Sequence, residues 1–174
     1  TLIRDAGIKG IVIKLSSKFS NIKLLEKDTF EVGASTLDRK VSDFAKDNNI
    51  SGMEFLSCIP GSIGGAVKMN SGCYGSEISK VLVSIKVIDK EGKEREIKKS
   101  EIKFDYRNAN LNPNDIILSV TLKGSTCSKQ LISKKQDEYI KRKKDTQPSQ
   151  IKTGGSTFKN NNDKKAWKLI KESG

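Results

Sequence analysis

The chain has 174 residues, of which 34% are hydrophobic and 31% are charged, and this length suits one domain or one domain with part of another. Its 33 Lys and Arg outnumber its 21 Asp and Glu, and the formal charge of +12 favours an anionic partner, such as nucleic acid, an acidic membrane surface or a phosphate-bearing small molecule. Histidine is absent, which excludes a Ser-His-Asp triad within the chain.

The three cysteines, Cys58, Cys73 and Cys127, form neither a close pair nor a metal-ligand spacing. Because their odd number argues against a disulfide framework, we predict reduced thiols in a cytoplasmic protein, with no metal site. No apolar run approaches the roughly 18 residues of a transmembrane helix, so we predict no membrane insertion. Both ends of the sequence resemble the interior of a fold, and we expect a longer protein.

The N-terminal part predicts two strands and a helix. Gly10–Leu15 (GIVIKL) is a short β-branched run, and Thr29–Ala34 (TFEVGA) alternates between apolar and polar residues, so we predict a strand at each. Ser35 or Thr36 would then cap a helix. The apolar residues of this helix recur at helical spacing: Leu37, Val41, Phe44 and Ala45.

The next segment, Ile59–Gly75 (IPGSIGGAVKMNSGCYG), contains five of the 14 glycines of the chain. It matches neither the G-x-x-x-x-G-K-[ST] nor the G-x-G-x-x-G pattern of nucleotide-binding loops. Glycine lets a backbone approach a ligand closely, and consecutive N–H groups can bind phosphate oxygens. By itself the segment is either a structural connection or a phosphate cradle.

An antiparallel hairpin and a further strand follow. In Val81–Val87, apolar residues alternate with other residues, as in a strand. The sequence DKEG predicts a turn after it, and KEREI predicts the returning strand. A further strand is predicted at Asp115–Gly124. Between them lies Phe104–Asn110 (FDYRNAN). Its Arg107 is either an ordinary surface residue or a fixed cation for a carboxylate, for which the guanidinium offers two parallel donors.

The C-terminal part predicts two helices separated by a glycine-bearing loop. An amphipathic, lysine-rich helix begins near Ser128 and is broken at Thr146–Pro148. The lysines of this helix form either a solvated face or a nucleic-acid patch. The composition of the genome would also explain why the chain contains so many lysines. In the loop, Ser156 is either a cap for the last helix or a reactive hydroxyl, better suited to donate a proton than to attack. Strands scattered among helices indicate an α+β fold.

Three segments, in this order, resemble the UDP-N-acetylenolpyruvoylglucosamine reductases. They are GMEFLSCIPGSIGGAVKMNSGCYG, FDYRN and TQPSQIKTGGSTFKN, and the resemblance covers nearly the whole chain. It implies an α+β fold: a vanillyl-alcohol-oxidase (PCMH)-type FAD-binding domain, here residues 1–125, followed by the start of an α+β substrate-binding domain at residues 126–174. It also implies that the chain is truncated at both ends.

The resemblance implies three sets of site residues. The catalytic residues would be Arg107 and Ser156. The residues that contact FAD would be Gly61, Ser62, Gly64, Gly65, Asn70, Gly72 and Gly75. The residues that bind the UDP-sugar would be Tyr106, Arg142, Lys143, Gln147 and Asn160. The resemblance also implies a catalytic glutamate, which we assign to no residue of this chain.

The implied reaction belongs to peptidoglycan precursor synthesis and uses NADPH as co-substrate and FAD as cofactor. NADPH reduces FAD, and a hydride from the reduced flavin N5 then adds to the enolpyruvyl double bond of the UDP-sugar. Arg107 would stabilise the resulting negative charge and Ser156 would supply a proton. No nucleic-acid partner is expected. The alternatives are another FAD oxidoreductase of the same fold and a basic nucleic-acid-binding module.

Overall fold

The computed structural model describes residue 3 and residues 5–147, 158–160 and 164–174. The chain divides into two compact units, one formed by residues 14–147 and the other by residues 1–13 and 148–174. The predicted domain division at residue 125 stays a prediction. Within the described ranges, no helix is long and apolar enough to cross a membrane.

The unit of residues 14–147 contains nine strands. They are β1 (Ile22–Glu26), β2 (Thr29–Gly33), β3 (Ile50–Ser51), β4 (Gly72–Cys73), β5 (Ser76–Glu77), β6 (Leu82–Ile88), β7 (Glu94–Lys98), β8 (Ile116–Lys123) and β9 (Ser125–Thr126). Five of them form an antiparallel sheet in the order β1-β2-β8-β6-β7, and the others pair as β3-β9 and β4-β5. The predicted strand at residues 29–34 and the predicted hairpin are therefore confirmed, as is the strand at residues 115–124.

One face of the sheet forms the floor of the hydrophobic core. Phe30 and Val32 of β2 lie opposite Leu122 and Val120 of β8, and all four side chains are fully buried. Because side chains alternate across a strand, the apolar residues at every second position face the same side. This alternation is the pattern that makes these strands predictable from sequence.

Two helices contribute to the same core. They are α1 (Asp38–Asp47) and α2 (Ile63–Lys68). Val41 and Ala45 of α1 are buried one helical turn apart, as the apolar spacing predicts. The predicted cap is wrong: α1 begins after Leu37 without a side-chain cap, and the Ser35 hydroxyl donates instead to the carbonyl oxygen of Ser16 at 3.1 Å.

The lysine-rich helix is α3 (Lys129–Thr146), and its predicted position is confirmed. The Ser128 hydroxyl accepts a hydrogen bond from Leu131 N–H at 3.4 Å and caps its first turn. Gln136, which is buried, donates to the Ser42 hydroxyl of α1 at 2.7 Å and fixes α3 against α1. The unit of residues 1–13 and 148–174 contains α4 (Ala166–Glu172), which confirms the last predicted helix.

The strand predicted at Gly10–Leu15 is wrong. Among the described residues it pairs with no strand, and the Ile11 side chain is 91% exposed. Conversely, β1 was not predicted, and it exists because Ile22–Glu26 pairs with β2. A short apolar run is not enough to make a strand, because a strand also needs a partner for its backbone hydrogen bonds.

Candidate functional site

The glycine-rich segment Ile59–Gly75 is held against the start of α1 by backbone hydrogen bonds. Asp38 N–H donates to Gly61 O at 3.1 Å. Two residues further along the segment, Ile63 N–H donates to Thr36 O at 2.9 Å. The segment then forms α2 and the β4-β5 hairpin. It is therefore an ordered element fixed to the core at several points.

Two of its glycines are required by close packing within the chain. A Cβ on Gly64 would lie 2.9 Å from Ala34 Cβ, and a Cβ on Gly72 would lie 2.4 Å from the carbonyl oxygen of Ser76. Neither position tolerates a side chain without a shift of its neighbours. Their predicted contact with FAD stays a prediction, since packing alone explains why they are glycines.

The remaining glycines leave an exposed surface without side chains. Gly61 has φ +126° and Gly75 has φ +82°, in the region that favours glycine. Gly65 has no such backbone requirement, and its Cβ would meet only the Ser62 hydroxyl, at 3.9 Å. Gly61 and Gly65 are both exposed, Gly61 just before α2 and Gly65 in its first turn. A flat ligand could therefore lie directly on the backbone of this surface.

Tyr106 and Arg107 lie in a tight turn closed by Asp105 and Asn108. Asp105 N–H donates to Asn108 O at 2.8 Å, and Asn108 N–H donates to Asp105 O at 3.2 Å. Arg107 takes the left-handed conformation, with φ +56°, and its guanidinium lies 5.7 Å from the centre of the Tyr106 ring. Non-glycine residues in this conformation concentrate at functional sites.

Asn70 joins this turn to the glycine-rich segment. Its amide nitrogen donates to the carbonyl oxygen of Asp105 at 3.4 Å, and its amide oxygen accepts from Ser79 N–H at 3.1 Å. Asn70 itself is buried. Its side chain therefore orients the turn that carries Arg107, whereas its predicted contact with FAD remains untested.

The C-terminal end of α3 also lies against this segment. The Lys143 ammonium donates to the carbonyl oxygen of Cys58 at 2.7 Å. The Arg142 guanidinium lies 5.0 Å from the centre of the Tyr74 ring, which stacks on Tyr139 at 4.9 Å between ring centres. These contacts place both predicted substrate-binding cations beside the glycine-rich segment. The tyrosine stack was missed because its two members are distant in sequence.

An open cleft of about 270 Å³ lies between α1, residues 57–61 and α3. Leu37 and Gly61 line its wall, and the cations Arg39 and Lys143 line it as well. Positive charge at its edge suits an anionic group such as a phosphate.

The other predicted site residues are not brought to this region by the described structure. Gln147 ends α3, where its N–H donates to Lys143 O at 2.9 Å. Asn160 lies in the other compact unit, and its amide oxygen accepts from Ala166 N–H at 3.0 Å at the start of α4. Ser156 lies outside the described residues.

A buried acid behind the glycine-rich segment was missed from sequence. Asp38 is only 1% exposed, and neither of its carboxyl oxygens has a hydrogen-bond partner among the described residues. The Thr36 hydroxyl, also 1% exposed, likewise has none there. Burial raises the pKa of Asp38 to about 7 because the low-dielectric interior disfavours its charged form.

Cys73, which belongs to the segment, has a thiol that is held protonated. Burial raises the pKa of Cys73 to about 11, and the neighbouring Cys58 adds to the effect. The Cys73 thiol donates to Phe55 O at 3.4 Å. A half-buried, protonated thiol is a poor nucleophile. In the described ranges, no group of three or more His, Cys, Asp or Glu residues could hold a metal ion.

Comparison with known proteins shows what the chain resembles. Residues 1–98 match the family model described as "FAD binding domain". Over 99% of its length, the chain is 49% identical to the UDP-N-acetylenolpyruvoylglucosamine reductase of Pelagibacter ubique and 43% identical to that of Rickettsia conorii. It spans only 58% of each of these relatives.

A solved structure agrees with these sequence matches. The crystal structure of the UDP-N-acetylenolpyruvylglucosamine reductase from Thermus caldophilus superposes with a TM-score of 0.84 at 32% identity. The match covers 96% of this chain and 60% of that one. The predicted α+β FAD-binding fold and the predicted resemblance are therefore confirmed.

The two adjacent glycines of α2 should respond oppositely to alanine. Gly64→Ala should lower the free energy of unfolding by about 1–3 kcal/mol, since its Cβ would press on Ala34. Gly65→Ala should leave it unchanged or raise it by up to about 1 kcal/mol, because alanine is the better helix former. Urea unfolding of both variants measures this. Equal losses at the two positions would contradict the assigned packing.

Asp38 should make stability depend on pH. Its folded pKa of about 7 exceeds the ordinary pKa of 3.8 for an aspartate, so the unfolded chain loses its proton first. Between these values, rising pH destabilises the folded state by about 1.4 kcal/mol per pH unit, and the loss levels off above pH 7. Urea unfolding should therefore show Asp38→Asn gaining stability over the wild type as pH rises from 5 to 7.

The matched control is Asp43→Asn on the exposed part of the same helix, where the carboxylate pairs with Lys46 at 3.0 Å. Its effect on the free energy of unfolding should stay within about 1 kcal/mol across this pH range. A difference between Asp38→Asn and the wild type that does not change with pH would mean that Asp38 is not buried in the protonated form.

Proposed function

The chain belongs to the family of FAD-binding domains, and we propose that the protein of which it forms part is an FAD-dependent UDP-N-acetylenolpyruvoylglucosamine reductase of peptidoglycan precursor synthesis. Its substrate would be the enolpyruvyl ether of UDP-N-acetylglucosamine, its product UDP-N-acetylmuramate and its co-substrate NADPH. The observation that carries the proposal is the pair of exposed glycines, Gly61 and Gly65, in a chain 49% identical to such a reductase.

The surface at Gly61, Ser62 and Gly65 would leave room for FAD against the backbone. A Cβ at Gly65 would project from this face, so glycine there keeps the backbone open to a flat ring. Gly64 and Gly72 would support the same surface from within, by admitting the close packing described above. When bound, FAD supplies the transfer of a hydride equivalent from NADPH to the carbon–carbon double bond of the substrate.

Arg107 would stabilise the substrate as it gains charge. Hydride addition next to a carboxylate leaves an enolate-like anion, and a guanidinium binds such a group through two parallel donors. The closed turn and its link to Asn70 limit the positions that the Arg107 backbone takes. The turn that carries the cation is thus ordered by folding, before the substrate binds.

Ser156 is the proposed proton donor, and its assignment rests on the motif GGSTFKN at residues 154–160. A serine hydroxyl is a weak acid, so it would donate only to a strongly basic carbanionic carbon held within hydrogen-bonding distance. The glutamate that the resemblance implies is assigned to no residue here.

The substrate's diphosphate would bind near the C-terminal end of α3. Arg142 and Lys143 place two positive charges there, beside the glycine-rich segment. Tyr106, which is 57% exposed, stands next to the catalytic arginine and would contact the sugar. Gln147 and Asn160 complete the proposed substrate residues. In the whole protein, residues 1–125 would belong to the FAD-binding domain and residues 126–174 to the substrate-binding domain, in a cytoplasmic enzyme.

The proposal is tested by separating the two half-reactions in the complete protein. Rapid mixing of the FAD-loaded enzyme with NADPH should bleach the flavin absorbance, and mixing the reduced enzyme with the UDP-enolpyruvyl sugar should restore it. Arg107→Lys should leave the first step within a few-fold of the wild type. It should slow the second step by about 100-fold, because a point charge cannot reproduce the planar fork.

Arg95→Lys is the control, since Arg95 pairs with Asp115 at 2.5 Å and has no proposed part in the reaction. Both of its half-reactions should match the wild type. A wild-type protein that binds no FAD, or whose reduced flavin is not reoxidised by the UDP-sugar, would overturn the proposed function. An equal slowing of both steps in Arg107→Lys would remove Arg107 from the catalytic role.

A further inference from the structure

Two polar side chains lie behind the glycine-rich segment with their hydrogen-bonding groups unused. Thr36 and Asp38 are each 1% exposed. Among the described residues, the Thr36 hydroxyl and both Asp38 carboxyl oxygens have no hydrogen-bond partner. Buried polar groups are nearly always hydrogen-bonded, because leaving one unpaired costs about 1–3 kcal/mol. Three such atoms within three residues point to a bound group that supplies the missing partners.

The route to Asp38 passes Gly61. A Cβ built on Gly61 would lie 3.7 Å from one carboxyl oxygen of Asp38, and no other described atom beyond the neighbouring residues lies within 4 Å of that point. Gly61 is exposed and lines the 270 Å³ cleft. The Asp38 carboxyl group therefore lies directly behind the backbone of Gly61, and a ligand group in the cleft would reach it through a small opening of the chain at Gly61.

The chemistry of these groups selects the ligand. A phosphate offers only acceptor oxygens, so it would leave the carbonyl oxygen of the buried carboxyl group without a donor. A hydroxyl group can donate to the Asp38 carboxyl and also pair with the Thr36 hydroxyl. Arg39 and Lys143, which line the same cleft, suit a phosphate next to that hydroxyl. A hydroxylated carbon chain attached to a phosphate satisfies both requirements.

We propose that Thr36, Asp38 and Gly61 form a polar well that receives a hydroxyl group of the bound FAD. This inference rests on the proposed function only in taking FAD as the ligand. FAD carries hydroxyl groups beside a phosphate in two places, on its ribityl chain and on its adenosine ribose. The polar well would fix the position of the cofactor along the glycine-rich segment and would reject ligands that present only charged oxygens there.

The test is FAD binding to the complete protein, measured by quenching of flavin fluorescence. Asp38→Ala should weaken FAD binding by about tenfold, the effect of losing one buried hydrogen bond to an ionisable group. Asp38→Asn, which keeps one acceptor oxygen, should remain within about threefold of the wild type. The control Asp43→Ala, on the exposed part of α1, should bind FAD as the wild type does.

A second readout separates a ligand-binding carboxyl from a structural one. Thermal unfolding without FAD at pH 8 should show Asp38→Ala at least as stable as the wild type, because the substitution removes a buried ionisable group. Higher stability without FAD together with weaker FAD binding is the signature of the polar well. A structural carboxyl would give the opposite change in stability.

Two fragments of the cofactor identify the source of the hydroxyl. FMN carries the ribityl hydroxyls, and ADP carries the ribose hydroxyls. If the ribityl chain fills the polar well, Asp38→Ala should weaken FMN binding and leave ADP binding unchanged; if the ribose fills it, the reverse should hold. Either result supports the proposal.

Equal FAD affinity in Asp38→Ala and wild type would overturn the inference and leave the proposed function intact. So would an equal loss of FAD affinity in Asp38→Ala and Asp43→Ala. A wild-type protein that binds FAD but neither reacts with NADPH nor with the UDP-sugar would overturn the proposed function alone. A wild-type protein that binds no FAD would overturn both.

Discussion

Backbone pairing between the chain before α1 and the glycine-rich segment fixes this segment to the core of residues 14–147. It joins Gly64 N–H to Ala34 O, Ile63 N–H to Thr36 O and Asp38 N–H to Gly61 O, at 2.9 to 3.1 Å. These bonds form only because the two backbones approach closely, and a side chain on Gly64 would push them apart. The absence of one Cβ thus allows α2 to lie on the end of the central sheet.

The same pairing has an electrostatic consequence. It covers Asp38 and buries its carboxyl group, and burial of an unpaired carboxyl group lowers the stability of the fold. A buried acid without a partner lowers stability, and local costs of this kind are expected at positions that serve function. The cations Arg142 and Lys143 approach the segment from α3, so the buried acid and these surface cations lie at different places along it.

A structural element could be predicted from the sequence where the residues that form it are close together in the chain. The alternation of Phe30 and Val32 and the spacing of Val41 and Ala45 are written in consecutive residues, so β2 and α1 were predictable. Gly10–Leu15 has a strand-like composition, yet pairing depends on residues elsewhere in the chain. The candidate site residues were predicted from three sequence segments that resemble a known family and occur in the same order. Asp38 could not have been found in this way, because its burial is produced by Gly61 and its neighbours, far along the sequence.

The central claim is that the surface at Gly61 and Gly65 is the FAD-binding surface. Hydrogen–deuterium exchange of the complete protein, with and without FAD, tests it most directly because it reports protection segment by segment. We predict that FAD slows exchange in residues 59–75 and at the start of α1. We predict no change in the β6-β7 hairpin. Protection confined to other segments, with residues 59–75 unchanged, would contradict the account.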